Sequence, residues 1–343
     1  MIRVGTLFSG GLAAPEFALK YEKIKHLVIF ACEIDKWARK QYLVFHNKPE
    51  YFYNDVKDFD GKNFSNEIDL LVWGSPCQDL SISGKRKGLS GEKSSLFRVA
   101  AKIQNNIKPK IFIFENVTGI LSSNKGADYQ EVLNTFSTQG YKTITLKMNT
   151  KDFGIPQNRN RIFIIGFLDV EKYHNFKDPK QIQLKLKLKD LLQKDVDEKY
   201  FLSKEQIKNF TKSSFNQERD RMQNNNICAT LLSRDYKSPK LVQIGNIDCR
   251  GNNSHWGRVY DPDGLAPTLI ANGGGAGAKT GLYQIKSNIR RLTPYETFLL
   301  QGVKSEDIKL VNSDTQSYKI SGNAMSVNVL QSILKSIYKE SIV

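Results

Sequence analysis

Cys77 stands in the run Gly74-Ser75-Pro76-Cys77-Gln78, directly after the apolar tetrapeptide Leu70-Leu71-Val72-Trp73. A thiol set in a loop after a proline suits nucleophilic work, because the thiolate is the reactive form and neighbouring cations or backbone N–H donors favour it. Read alone, it also fits a packed structural thiol, a description that suits Cys32 better. Glu115 ends a second apolar run, Ile111-Phe112-Ile113-Phe114. A carboxyl beside a nucleophile can donate a proton or hydrogen bond if burial raises its pKa, and it can equally cap a following helix. The segment Gln157-Asn158-Arg159-Asn160-Arg161 carries two alternating arginines, which in an extended chain share one face. Two guanidinium forks on one side suit a phosphate or a carbonyl oxygen; the bland alternative is a solvated strand start.

The elements that must position these groups are short apolar runs followed by turns and amphipathic segments, repeated from residue 1 to about 170. That rhythm is the mark of βα units on a parallel sheet. The runs are Val4 to Phe8, Leu27 to Cys32, Leu70 to Trp73, Ile111 to Phe114 and Arg161 to Ile165. Ligands of open α/β sheets sit at the carboxyl ends of strands, so Gly10, Glu33, Pro76-Cys77 and Glu115 are expected to converge on one crevice. After about residue 180 the texture turns rich in Lys, Asn and Gly, as in a second domain. The tract Asn272 to Gly277 lacks the Lys-Ser/Thr of a phosphate cradle and reads as a loop. Helical periodicity returns at Pro294 to Gln301 and Ala324 to Tyr338, so the tail is expected to rejoin the first domain.

Composition narrows the partner. Fifty-one basic residues against 35 acidic ones give +16 and a pI near 9.5, an excess that attracts a polyanion. The first 11 residues read as strand and turn rather than a cleavable leader, and no apolar stretch is long enough to span a bilayer. Four scattered cysteines without a CxxC pair argue against a disulfide scaffold or a zinc site, so no metal is expected and a reducing cytoplasm fits.

In order along the chain, FSGG, CEID (32–35), GSPCQDLSISGKRKGL (74–89), FENVTGIL (114–121), FGIPQNRNRIFIIGF (153–167), RRLTPYETFLLQG (290–302) and ISGNAMSVNVL (320–330) resemble the cytosine-C5 DNA methyltransferases. The resemblance implies a Rossmann-like α/β fold, a methyltransferase domain dependent on S-adenosylmethionine, with a mostly parallel sheet and a smaller, irregular or β-rich target-recognition domain. It divides the chain into a catalytic domain (1–180), a recognition domain (181–287) and a C-terminal segment returning to the first (288–343). It gives Cys77 the role of nucleophile at cytosine C6, Glu115 that of partner to N3 and the exocyclic amine, and Arg161 a grip on O2. Arg159 supports the Cys77 loop or the ring.

For the cofactor, the resemblance implies a turn of Phe8, Ser9, Gly10 and Gly11, ribose contact by Glu33, adenine contact by Asp55 and Val56, and further lining by Pro76, Leu96 and Asn323. The usual FxGxG is replaced here by Phe8-Ser9-Gly10-Gly11-Leu12-Ala13, which lacks the second spaced glycine. For DNA it implies Gln78, Ser83, Lys85, Arg86 and Lys87 in a mobile loop hinged at Gly84 and Gly88. In the recognition region it implies Arg234, Arg250 and Arg258, with either Thr230-Leu231 or Thr268-Leu269 as the family's Thr-Leu pair. Arg219, Arg221 and Lys237 are further candidates. The expected partner is double-stranded DNA, acted on by a monomer in the bacterial cytoplasm or nucleoid, either as an orphan or beside a restriction endonuclease of the same site.

Three rivals compete. A nicotinamide oxidoreductase shares the βα rhythm and Glu33, yet has no need of Cys77, Glu115 and two arginines at successive strand ends. A tRNA methyltransferase keeps the chemistry but has a compact recognition region, whereas over a hundred residues lie between QNRNR and RRLTP here. A non-catalytic DNA-binding relative would be expected to have lost Cys77 or Glu115, and both are present.

Overall fold

The computed structural model describes residues 1–75, 95–203, 243–246, 258–260, 262–263, 265–266, 268–269, 282–285 and 288–339. Seven strands form one sheet: β1 (Ile2–Leu7), β2 (His26–Cys32), β3 (Tyr51–Tyr53), β4 (Leu70–Trp73), β5 (Ile111–Val117), β6 (Lys142–Asn149) and β7 (Asn160–Phe167), in the order β3-β2-β1-β4-β5-β7-β6. The first five are parallel, as the repeated runs predict. β7 departs from that expectation: it enters between β5 and β6, antiparallel to both. The reason lies in the connection. Only ten residues, with one 3-10 turn at Thr150–Phe153, link β6 to β7, too few for the crossover that a parallel neighbour needs.

Alternation along the central strands separates two apolar layers. Leu70, Val72, Ile111 and Ile113 face a core that includes helix α1 (Ala14–Tyr21), while Leu71, Trp73, Phe112 and Phe114 face helices α3 (Ser95–Ile107) and α4 (Ala127–Thr138) on the other side. Such runs, buried on both faces, are what strands covered by helices require. Helix α2 (Lys36–Phe45) follows β2 and is capped by the Asp35 carboxylate; a short helix α5 (Val170–Asn175) follows β7. Helices α6 (Pro294–Leu300), α7 (Asp314–Asn323) and α8 (Val327–Tyr338) close the chain. Phe298, Leu330, Ile333 and Leu334 share a core with Val4 and Phe17, so the tail packs on the same body as the first strand. A Thr293–Glu296 capping box and Pro294 start α6 where the sequence marks it.

A second sheet, β8 (Gln243–Asn246), β9 (Arg258–Tyr260), β10 (Leu282–Ile285) and β11 (Asn288–Arg291), runs in the order β11-β10-β9-β8, with β9 and β10 parallel and the outer pairs antiparallel. Among the described residues no helix is long and apolar enough to cross a membrane.

Candidate active site

The strand order reverses at β1 and β4, and a cleft with about 450 Å³ of unfilled, solvent-open space lies at that point. This is where open α/β sheets bind ligands. Phe8, Ser9 and Gly10 form one wall, Gly74 and Glu115 another, and Asn323, Ala324 and Met325 a third.

The first wall is a turn under strain. Gly10 has φ +66°, which glycine tolerates, but Phe8 (53°) and Ala13 (45°) also take left-handed angles that cost a side-chain-bearing residue free energy. The glycine missing from the expected pattern falls at Leu12, next to the left-handed Ala13. Hydrogen bonds hold the turn. Ser9 N donates to Cys32 O (2.9 Å), and Cys32 N donates to Ser9 Oγ (3.1 Å). Gly10 N donates to Glu33 Oε2 (2.9 Å), while Glu33 Oε1 accepts from Asp35 N (2.8 Å). Burial raises the pKa of Glu33, against these two donors. Gly11 must be glycine, since a Cβ there would lie 2.9 Å from Ala38 O.

The second wall joins neighbouring strands. Antiparallel pairing sets Val117 opposite Arg161 and Glu115 opposite Phe163, and the Arg161 Nε lies 3.1 Å from Glu115 Oε1. Both side chains are largely shielded, so the pair is stronger than a surface ion pair. A Cβ on Gly74 would approach Glu115 Oε2 to 3.2 Å and Glu115 O to 3.0 Å, which makes the glycine of GSPCQ the space in which this carboxylate stands. Asn116 Nδ2 donates to Ser75 Oγ (3.4 Å), tying β5 to the segment that leads to Cys77.

Arg159 does not share a face with Arg161. It is buried, and its guanidinium donates to Leu269 O (3.0 Å), Gly322 O (3.4 Å) and Ala324 O (2.7 Å), joining the strand start to the third wall. The extended-chain alternation fails because Arg159 precedes β7, where Asn149 Oδ1 accepts its backbone N–H. Thr268 and Leu269 dock on the same stretch. Thr268 Oγ1 donates to Asn158 O (2.6 Å), and Leu269 N donates to the buried Gln157 Oε1 (3.1 Å).

Of the other cofactor candidates, Asp55 accepts from Lys57 N, Val56 is buried in the core and Leu96 packs partly buried against it. Arg258 opens β9, of which the backbone is described. Pro76, Cys77, Gln78, Ser83, Lys85, Arg86, Lys87, Arg219, Arg221, Thr230, Arg234, Lys237 and Arg250 lie outside the described residues. Sequence reasoning missed Ala324 and Met325, which line the cleft, and the use of Gly74 as clearance; their signal was adjacency to the GNA and PCQ runs.

A mostly parallel seven-stranded sheet, a strained turn after β1 and an acid–guanidinium pair on the neighbouring strands β5 and β7 define a Rossmann-like methyltransferase fold. Solved structures share it over nearly the whole chain. An Escherichia coli putative DNA modification methyltransferase encoded within a prophage has TM-score 0.65 at 22% identity, covering 98% of this chain and 99% of that one. The Dnmt2 methyltransferase of S. pombe has TM-score 0.68 at 17% identity, covering 97% of each. Sequence comparison is more specific. Residues 2–339 match the profile of the C-5 cytosine-specific DNA methylases. Type II methyltransferase M.HhaI of Haemophilus parahaemolyticus is 33% identical over 322 residues, 94% of this chain and 90% of the relative. Type II methyltransferase M.Bsp6I of a Bacillus species is 30% identical over 348 residues, 99% of each. The chain belongs to the C-5 cytosine-specific DNA methylase family. It is a DNA cytosine-C5 methyltransferase.

Proposed function

We propose that the enzyme rotates a cytosine out of duplex DNA into the switch-point cleft and methylates it there, with Cys77, Glu115 and Arg161 as the groups that handle the base. The supporting observation is that Glu115 lines the cleft together with the strained turn and is held there by Arg161, whose Nε lies 3.1 Å from Glu115 Oε1. Cytosine C5 is a poor nucleophile. Addition of the Cys77 thiolate to C6 makes it enamine-like and drives electron density towards N3 and O2. Glu115 relieves that charge by protonating or hydrogen-bonding N3 while accepting from the exocyclic amine, and Arg161 holds both Glu115 and O2. Departure of the C5 proton and expulsion of Cys77 return the enzyme to its starting state. Rotation of the base costs a few kcal/mol, which contacts from Gln78, Ser83, Lys85, Arg86 and Lys87 are proposed to offset.

The methyl donor is S-adenosylmethionine, which supplies an electrophilic methyl group to C5 when bound. The residues present fit it. Gly10 has open space where a Cβ would stand, Glu33 is a half-buried carboxylate suited to ribose hydroxyls, and Asn323 is an exposed amide on the cleft rim. Phe8 and Ser9 line the same turn, while Asp55 and Val56 follow the neighbouring strand β3. Arg159 is proposed to act through the third wall rather than on the base. The recognition domain is taken as 181–287, with Arg234, Arg250 and Arg258 reading or anchoring the duplex. Thr268-Leu269 is the preferred Thr-Leu pair because it docks on Gln157 and Asn158. The relatives named type II and orphan methyltransferases support a role beside a restriction endonuclease or as an orphan, in the cytoplasm.

The test is covalent trapping. With S-adenosylmethionine, a duplex carrying 5-fluorocytosine in the target site, found by bisulfite sequencing of host plasmid, is expected to cross-link the wild type and not Cys77→Ala. Tritium from labelled donor should appear in duplex DNA. Label on tRNA alone, or trapping by Cys77→Ala, would overturn the reading.

A further inference from the structure

Beneath the strained turn lies a polar chain that the chemistry above does not use. Glu16, in the first turn of α1, is buried and leaves its own helix N-terminus uncapped. Its Oε1 instead accepts from the hydroxyl of buried Tyr42, and its Oε2 lies 3.5 Å from His46 Nδ1. His46 Nε2 is 3.0 Å from Leu12 O. Phe17 and Tyr42 pack against the imidazole, with ring centroids 4.4 and 5.4 Å away. Leu12 precedes Ala13, the left-handed residue on the cleft wall, and Ala14 and Pro15 line that wall too.

We propose that Glu16 is a positioning residue for the methyl-donor turn, acting by selecting the tautomer of His46 that grips Leu12. A carbonyl offers only lone pairs, so the grip exists only when Nε2 bears the proton. Nδ1 must then accept, and among the described residues the one group facing it that can donate is a protonated Glu16. If Glu16 ionises, its carboxylate demands a donor from Nδ1. The imidazole then turns its bare Nε2 on Leu12 O, acceptor against acceptor, and the turn is released. Atoms balance: one proton leaves Glu16 for solvent and one moves between the ring nitrogens by exchange.

The surroundings favour the gripping state at neutral pH. Burial pushes Glu16 up to about 8, with the Tyr42 hydrogen bond opposing, and pushes His46 down to about 4. The other charged groups acting on the imidazole are Lys20 of α1, His26 of β2 and Asp307, of which the first two disfavour its cation and the last favours it. None replaces Glu16 at Nδ1.

The inference rests on the cleft being the methyl-donor site, and the experiment separates the two claims. Calorimetric binding of S-adenosylmethionine is measured from pH 6.5 to 9.5 for wild type, Glu16→Gln and Tyr42→Phe. Gln donates and accepts as neutral Glu does, so its profile keeps every other ionisation, the ligand's and that of Glu33 included, and the difference between the two profiles reports Glu16. Wild type is expected to lose about ten-fold more affinity across pH 8 than Glu16→Gln, the worth of one buried hydrogen bond. Tyr42→Phe removes a donor that favours the anion, so its break should move to higher pH. Nitrogen NMR should find His46 protonated at Nε2 at pH 7 and at Nδ1 above the break. Superimposable wild-type and Glu16→Gln profiles, or a break in Tyr42→Phe that does not rise, would overturn the proposal. No binding by any variant at any pH would instead count against the cleft as the donor site.

Discussion

Replacing Arg159 by Met keeps most of the side-chain volume and deletes the guanidinium. The consequence follows from its contacts. Leu269 O, Gly322 O and Ala324 O lose a charged donor in a place where Arg159 itself is only 3% exposed, so water cannot fully substitute. Hydrogen bonds to charged groups contribute ~1.5–3 kcal/mol each, and two of these contacts are long. A loss of about 3–5 kcal/mol is therefore expected, a large fraction of the roughly 5–15 kcal/mol that holds a protein folded. Urea unfolding measures it. Arg159→Lys, which keeps the charge but reaches fewer carbonyls, should recover about 1–2 kcal/mol. Because Gly322 and Ala324 flank Asn323 on the cleft wall, KM for S-adenosylmethionine should rise several-fold in Arg159→Met at a temperature where it remains folded. A variant within about 1 kcal/mol of wild type with unchanged KM would refute the reasoning, because the three carbonyls would then need no donor.

Two further outcomes follow from the same geometry. Gly74→Ala places a methyl 3.0 Å from Glu115 O and 3.2 Å from Glu115 Oε2, so the carboxylate must shift by a few tenths of an ångström. Steady-state assays should show kcat lowered about ten-fold or more with the fold retained. Glu16 and His46 also set opposite slopes of stability against pH. Between Glu16's usual 4.5 and about 8 the folded state holds a proton the unfolded state has lost, so stability falls as pH rises. Between about 4 and the usual 6.5 of His46 the unfolded state holds the extra proton, and stability rises. The two cancel where they overlap, leaving a fall of about 2 kcal/mol from pH 6.5 to 8, at ~1.4 kcal/mol per unit. Thermal denaturation should show that fall in wild type, and Glu16→Gln should abolish it while uncovering the His46 rise at acid pH.

How much of this was readable beforehand depends on how local the cause is. β4 and the start of β5 were legible because Leu70 to Trp73 and Ile111 to Phe114 are unbroken apolar runs. Helices α6 and α8 were legible from their periodicity, and the Thr293–Glu296 box marks where α6 begins. β3 escaped because three residues make no pattern, and β6 because Lys142-Thr143-Ile144-Thr145-Leu146-Lys147 reads as half-polar, as a sheet-edge strand does. The convergence of Gly10, Glu33 and Glu115 at one end of the sheet followed from the parallel pattern. The burial of Arg159 did not, because its acceptors are carbonyls 110 to 165 positions away, and carbonyls leave no trace in residue type. The Glu16, Tyr42 and His46 chain was equally silent: Glu16 lies on α1, Tyr42 on α2 and His46 just past the end of α2, and only the fold decides how these pack.

Because β7 runs backwards beside β5, Glu115 and Arg161 are anchored through one backbone ladder even though they are 46 positions apart along the chain. The spacing of the acid and its cation is thus set by peptide hydrogen bonds, and the polypeptide between Val117 and Asn160 is a long excursion that begins and ends on adjacent rungs. Insertions or exchanges within that excursion, for instance around the exposed Ser122 to Gly126 turn, leave the two anchor points where they are. Divergence of this stretch is therefore compatible with an unchanged Glu115–Arg161 pair.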